Sequence, residues 1–275
     1  MKNTFAFIGA GNMGGAIIEA VCRAAEPTSV FVFDRDSAKT EKLSEKTGCR
    51  AVLSAEEAVK NAHFVFLCVK PNVMADALKE ICPILKESAK IGEDKVIVSI
   101  AAGVTKSAIK EILAEQGLAL PVVRLMPNTP VAVGKGMILV SPEKELSSEN
   151  LSLLLAALAP GGLTSLIEES YIDAATPVFS CSPAYVYMFI EALADGGVMA
   201  GVPRDKAQSF AAQAVLGAAA MVLETGKHPG QLKDEVCSPG GSTIVGVEEL
   251  EKRGFRGAVA SAVYEAYKKT TALGK

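Results

Sequence analysis

The chain is poor in the side chains that most often break bonds. It holds two histidines in 275 residues, and neither stands in a metal-ligand spacing. No Gly-x-Ser-x-Gly elbow occurs, which argues against that class of hydrolase. Six cysteines, at 22, 49, 68, 82, 181 and 237, form no Cys-x-x-Cys pair, so no metal is expected and the thiols read as reduced. An excess of one charge is also lacking: 28 basic against 31 acidic residues leave a net −3, which gives a nucleic-acid-binding surface poor support. The longest largely apolar run, residues 210–223, is 14 long with Gln213 inside it, short of the roughly 20 that span a bilayer. No signal-peptide pattern precedes the first strand-like segment. The expectation is a cytoplasmic protein with neither a membrane nor a nucleic-acid partner.

What is present is a globular composition, 49% apolar, in a length that suggests two domains. Near the start, Phe5-Ala6-Phe7-Ile8 leads into Gly9-Ala10-Gly11-Asn12-Met13-Gly14 and then into an apolar helical pattern. This is Gly-x-Gly-x-x-Gly between a strand and a helix, the context in which it binds a dinucleotide. Gly9 permits the turn, Gly11 admits the pyrophosphate and Gly14 lets helix and strand pack. A second strand-like run ends at Asp34, about 20 residues beyond the last glycine, where a carboxylate receives the ribose hydroxyls of NAD. Arg35, Ser37 and Lys39 follow at once and could instead hold the extra phosphate of NADP. The local signal is mixed, with Asp34 leaning toward NADH.

Strands are predicted at 4–9, 29–34, 50–53, 63–69, 95–100, 121–126, 136–141 and 163–168, with helices between them, including 73–85 and 106–116. Near-continuous apolar runs such as Phe64-Val65-Phe66-Leu67 are expected of parallel strands covered on both faces. The fold class is α/β: an N-terminal Rossmann-type doubly wound sheet over residues 1–165, with its ligand beyond the carboxyl ends of the strands. Three strand exits support that placement, at Val69-Lys70-Pro71, Ala101-Ala102-Gly103 and Met126-Pro127-Asn128. Asn128 either turns its amide to a nicotinamide or caps its own loop. From about Tyr171 onward the β signal disappears, and residues 166–275 are read as an all-helical second domain, with helices expected at 183–199, 203–224, 239–252 and 255–272. The third of these starts at Ser238-Pro239-Gly240-Gly241-Ser242-Thr243, with Ser238 read as N-cap and Pro239 as first helical residue. Bare glycines would leave free amides for a carboxylate or phosphate, and Thr243 supplies a hydroxyl one turn in. A simple capped helix explains this segment equally well on its own. The helix around residues 211–220 is apolar on nearly every face and calls for cover all round, which a second copy of the chain would supply.

His63 reads as structural and His228 as a turn residue; Glu191 and Asp195, one helical turn apart, read as solvated. A nicotinamide enzyme without an obvious His or Lys relay suits an imine, whose nitrogen can already carry a proton when hydride adds at carbon. These motifs, together with Pro183-Ala184-Tyr185 and His228-Pro229-Gly230-Gln231-Leu232, run in order along nearly the whole chain. In this set the chain resembles the pyrroline-5-carboxylate reductases, and the 238–243 block is its most specific part. The resemblance implies an imino-acid substrate reduced to L-proline by NADPH or NADH, and a helical C-terminal dimerisation domain giving a homodimer or ring of dimers. It implies cofactor contacts at Ile8, Gly9, Ala10, Gly11, Asn12, Met13, Asp34, Arg35, Val69, Lys70, Pro71, Ala101, Ala102 and Asn128. Substrate contacts are implied at Ser238, Gly240, Gly241, Ser242 and Thr243, with Thr243 catalytic beside the imine nitrogen. Ser182 departs from the family, many of whose members carry Gly there. A β-hydroxyacid dehydrogenase would need an Asn-Lys pair, which is absent. A non-catalytic dinucleotide sensor would be expected to break the 238–243 block, which is intact.

Overall fold

Strict alternation of side chains sorts the first strand into two cores, and the rest of the sheet follows it. The computed structural model describes residues 3–273. In β1 (Phe5–Ile8), Phe5 and Phe7 face one layer with Ile17, Ile18 and Val21, while Ala6 and Ile8 face the other with Leu78 and Ile81. Such two-sided burial follows from the period-two strand geometry and requires helices on both faces. Phe7 stacks on Phe66 with ring centroids 4.4 Å apart, and Phe5 on Phe64 at 5.5 Å. Each fully buried ring contributes about 1.5–3 kcal/mol of apolar burial.

The remaining strands are β2 (Val30–Phe33), β3 (Arg50–Ala51), β4 (Phe64–Leu67), β5 (Val96–Ser99), β6 (Val122–Pro127), β7 (Gly136–Pro142) and β8 (Gly162–Leu166). They lie in the order β3-β2-β1-β4-β5-β6-β7-β8. Strands β1 to β6 are mutually parallel, β7 runs antiparallel to β6, and β8 parallel to β7. The order reverses between β1 and β4, the switch point at which doubly wound sheets open a ligand crevice. Helices α1 (Asn12–Ala24), α2 (Ser37–Thr47), α3 (Ala55–Lys60), α4 (Met74–Lys90), α5 (Lys106–Glu115), α6 (Ser148–Leu158) and α7 (Ile172–Thr176) complete this part.

The first compact unit runs beyond the expected boundary at 165, to Ser180, and also takes in residues 269–273; the second spans residues 181–268. The reason lies in β6. Arg124, 1% exposed, sends Nη1 to Glu169 Oε1 at 3.4 Å and Nη2 to Asp173 Oδ1 at 3.1 Å. Ile172 packs on Met126 and Leu139. A buried guanidinium stripped of these carboxylates would be strongly destabilising, so the segment stays with the sheet.

At the amino ends of the strands two further buried polar groups are satisfied. His63 bonds Asp94 O at 2.6 Å and Asn150 Oδ1 at 3.0 Å, which makes it structural, as its sequence context suggested. Lys95 is buried; its Nζ donates to Ala62 O at 2.7 Å and Lys60 O at 3.4 Å and pairs with Glu93 at 3.2 Å. It therefore satisfies carbonyls at the end of α3 that the helix itself cannot. Lys95→Met should lower unfolding stability by about 1–3 kcal/mol in a urea titration, with turnover per folded molecule unchanged. An unaltered urea midpoint would show that water replaces the ammonium without cost.

The second unit contains α8 (Ser182–Met199), α9 (Arg204–Thr225), α10 (Pro229–Val236) and α11 (Ser242–Lys252), and most of α12 (Phe255–Leu273). Its own core is three alanines, Ala194, Ala207 and Ala211. No residue of α10 or α11 is buried, and Tyr187, Met188, Phe210, Leu216 and Leu223 are exposed. By length and composition α9 is apolar enough to cross a membrane, with a mean hydropathy of 1.2 and 11% of that stretch buried. The run of 14 residues understated it, because the helix continues past both of its ends, from Arg204 to Thr225, 22 residues in all.

Candidate active site

In register, Ile8 lies beside both Phe33 and Leu67, and Leu67 beside Ser99, so β1, β2, β4 and β5 end together. Their exits therefore form one edge, which gathers residues 9–13, 34–35, 69–71 and 101–102. Gly9 has φ +104°, and a Cβ there would lie 2.5 Å from Cys68 O. At Gly14 a Cβ would meet Gly9 O at 2.6 Å. Both glycines are required by the protein's own packing. Gly11 differs: its φ is −67°, and a Cβ there would meet nothing within 4 Å. Neither conformation nor packing asks for glycine at 11, so the space above it suits the close approach of a ligand.

Helix α1 begins at that point with Gly11 as N-cap, no side-chain cap and no acidic residue in its first turn. The amides of Asn12 and Met13 are thus open to an anion, and the helix dipole favours one. Beneath the turn, burial pushes the Cys68 thiol far above its ordinary range, so it adds no negative charge against a phosphate. Among the described residues, Gly11, Asn12, Arg35, Lys70, Pro71 and Ala102 are exposed along this edge, while Gly9, Met13 and Val69 are half-buried. These residues fit a dinucleotide.

Several of the expected contacts are buried and hydrogen-bonded within the frame. Ile8 is buried in the core, and its carbonyl accepts the Cys68 N–H at 2.8 Å. Ala10 is buried, and its N–H donates to Asp34 Oδ2 at 2.6 Å. Ala101 is buried with its N–H on Ser99 Oγ at 3.3 Å. Asn128, 7% exposed, donates from Nδ2 to Phe179 O and accepts the Met137 N–H at Oδ1, both at 2.8 Å. Of its two readings, the cap on its own loop is the observed one; both ends of the amide are held within the protein.

The 238–243 segment is also rebuilt by the structure. Helix α11 begins at Ser242 with Gly241 as N-cap, three residues later than the Ser238 cap expected from the sequence. Ser238-Pro239-Gly240-Gly241 is a turn closed by Gly241 N–H to Ser238 O at 3.0 Å, with Gly240 at φ +71°. Proline second and a positive-φ glycine third are the signature of a type II turn, and this chemistry outcompetes helix entry at Pro239. A Cβ at Gly241 would run into Ser238 Oγ, so any larger residue there requires the serine side chain to turn away. The Gly241 amide is used in the turn, so the open amides belong to Ser242 and Thr243. No side chain caps α11 and its first turn holds no acid. Ser238, Ser242 and Thr243 are exposed. Among the described residues none of their hydroxyls has a protein partner. His228 is the N-cap of α10, its Nδ1 accepting the Gly230 N–H at 3.0 Å.

Sequence reasoning overlooked Asp36. Lys39 Nζ lies 3.7 Å from Asp34 Oδ1 and 3.4 Å from Asp36 Oδ2. The signal was available in the spacing, because residues 36 and 39 meet across the first turn of α2. Among the described residues no cluster of His, Cys, Asp and Glu is able to hold a metal.

Residues 169–273 match the family model for pyrroline-5-carboxylate reductase dimerisation, and residues 4–103 match that for NADP oxidoreductase, coenzyme F420-dependent. The chain is 41% identical to pyrroline-5-carboxylate reductase of Escherichia coli over 100% of both proteins. It is 39% identical to that of Pisum sativum, over 98% of this chain and 96% of the relative. Among solved structures it resembles the pyrroline carboxylate reductase of Plasmodium falciparum with NADP bound, at TM-score 0.84 and 30% identity, covering 99% of this chain and 98% of the other.

Proposed function

Since the chain belongs to the pyrroline-5-carboxylate reductase family, we propose that the start of α11 binds its substrate and that Thr243 serves the reacting nitrogen. The protein is an NAD(P)H-dependent oxidoreductase that reduces 1-pyrroline-5-carboxylate to L-proline. The observation that carries the site assignment is the uncapped, acid-free opening of α11, whose Ser242 and Thr243 amides and exposed hydroxyls have no partner among the described residues. A carboxylate is the anion this substrate offers, and a helix N-terminus is a ready site for one. Ser238, Gly240 and Gly241 shape the turn that presents those amides. Gly240 and Gly241 leave its rim free of side chains.

When bound, the nicotinamide supplies hydride to the imine carbon. This chain's residues do the rest. The amides of Asn12 and Met13 neutralise pyrophosphate, and Gly11 keeps the approach open. Asp34 faces the adenosine ribose, with Arg35, Lys70, Pro71 and Ala102 along the same edge. Thr243 holds a proton at the imine nitrogen as that nitrogen becomes an amine.

The chain assembles through its helical unit into a homodimer or a ring of dimers. Support comes from the uncovered apolar faces of α8 and α9 and from a unit core of only three alanines. On this reading α9 is an interface helix, with no membrane and no nucleic acid involved. Six free thiols favour the reducing cytoplasm. The test is oxidation of NADH and NADPH by the purified protein with 1-pyrroline-5-carboxylate. Dependence on that substrate with proline as product is expected, and failure with both nucleotides would refute the reading.

A further inference from the structure

We propose that this chain prefers NADH to NADPH, and that Asp34, fastened to the Gly-rich turn, sets the preference. The inference rests on the reading of the β1–β2 edge as the nucleotide site, and it departs from the NADP-bound relative. The decisive observation is that neither oxygen of Asp34 is free to leave. Oδ2 accepts the Ala10 N–H at 2.6 Å and Oδ1 accepts the Asp36 N–H at 2.9 Å. A carboxylate held at both ends cannot swing aside to admit a phosphate. It still has lone pairs to spare, because each oxygen accepts about two hydrogen bonds and the protein supplies one to each. Two ribose hydroxyls, both donors, match that remaining capacity.

The cations nearby do not reverse this. Lys39 is already shared between Asp34 and Asp36, at 3.7 and 3.4 Å. Two carboxylates and one ammonium leave this trio with a net charge of −1. A 2′-phosphate would bring roughly two further negative charges to it. Only Arg35, exposed and without an ion pair among the described residues, pulls the other way. One solvated guanidinium faces a trio whose negative charge is fixed by backbone hydrogen bonds. Asp36 matters here because it occupies Lys39, the cation that the sequence alone offered to the phosphate.

The experiment is calorimetric titration of the purified full chain with NADH and with NADPH, at low and high salt. NADH should bind tighter by roughly tenfold or more, since like charges brought together in a partly desolvated site are strongly disfavoured. High salt should narrow the ratio by screening the charge that causes it. Asp34→Ser should narrow it further, while Lys39→Ala, which removes the compensating ammonium, should widen it. Equal affinities in the wild type, or tighter binding of NADPH, would overturn the preference while leaving the function intact. An Asp34→Ser protein with an unchanged ratio would remove Asp34 from its role. Binding of neither nucleotide would overturn this inference together with the site assignment beneath it.

Discussion

Ala218→Glu should turn the protein into a folded but inactive monomer. Ala218 lies in α9 and is exposed in the single chain, so a glutamate there disturbs nothing within one copy. It becomes unfavourable only when another subunit covers that face. Burying an unpaired carboxylate costs several kcal/mol, enough to abolish association at assay concentrations. Activity should vanish with the dimer for a reason visible in the second unit. Helices α10 and α11 bury no residue of their own, and the core beside them is three alanines. A unit so thinly packed gains its rigidity from a partner, and a catalytic group misplaced by about 1 Å forfeits roughly 10²-fold in rate. Light scattering and far-UV circular dichroism should therefore report a monomer with native helix content, and the assay no turnover. An active wild-type monomer at assay concentration would contradict this outright.

The ease of reading this chain varies with the range of the interaction that decides each element. The central strands were legible because parallel strands buried on both faces write themselves as apolar runs such as Val30-Phe31-Val32-Phe33. Gly9 and Gly14 were legible for the same local reason: a turn and a close crossing permit nothing larger. The domain boundary was not. It is drawn by Arg124 reaching 45 and 49 residues along the chain to Glu169 and Asp173, and no local pattern announces such a pairing. Asn128 stayed open between two readings for a related reason, since one of its partners, the Phe179 carbonyl, lies 51 residues along the chain. The start of α11 is the instructive case. Ser-Pro is a good helix opening, but Pro-Gly at the centre of four residues is a better type II turn, and two local rules competed over one stretch. The turn prevailed, and the open amides moved from the glycines to Ser242 and Thr243. The helix start still lies within the 238–243 block, without a side-chain cap.

Thr243→Val should lower turnover by roughly 10²-fold, the lower end of what a positioned proton donor contributes. The substitution isolates the hydroxyl. Valine keeps the β-branched shape and the stiff χ1 of threonine, so the helix start loses little. The threonine side chain is exposed and its oxygen bonds nothing in the described protein, so the change orphans no partner. The amide that contributes to carboxylate binding is untouched, and KM should move far less than kcat. Nucleotide affinity should stay constant, because the dinucleotide residues belong to the other unit. A pH profile separates catalysis from packing. At acid pH the imine takes its proton from water before hydride arrives, and the deficit should shrink. At alkaline pH the nitrogen is neutral in solution and depends on a positioned donor, so the deficit should be largest there. A valine enzyme within about threefold of wild type at neutral and alkaline pH would make Thr243 a packing residue and water the source of the proton. A large deficit independent of pH would point instead to a displaced carboxylate, and Thr243→Ser, which keeps the hydroxyl on a less constrained side chain, should then fail as well. Recovery of most of the activity by serine, with the wild-type pH profile, is the result expected if the oxygen carries the proton.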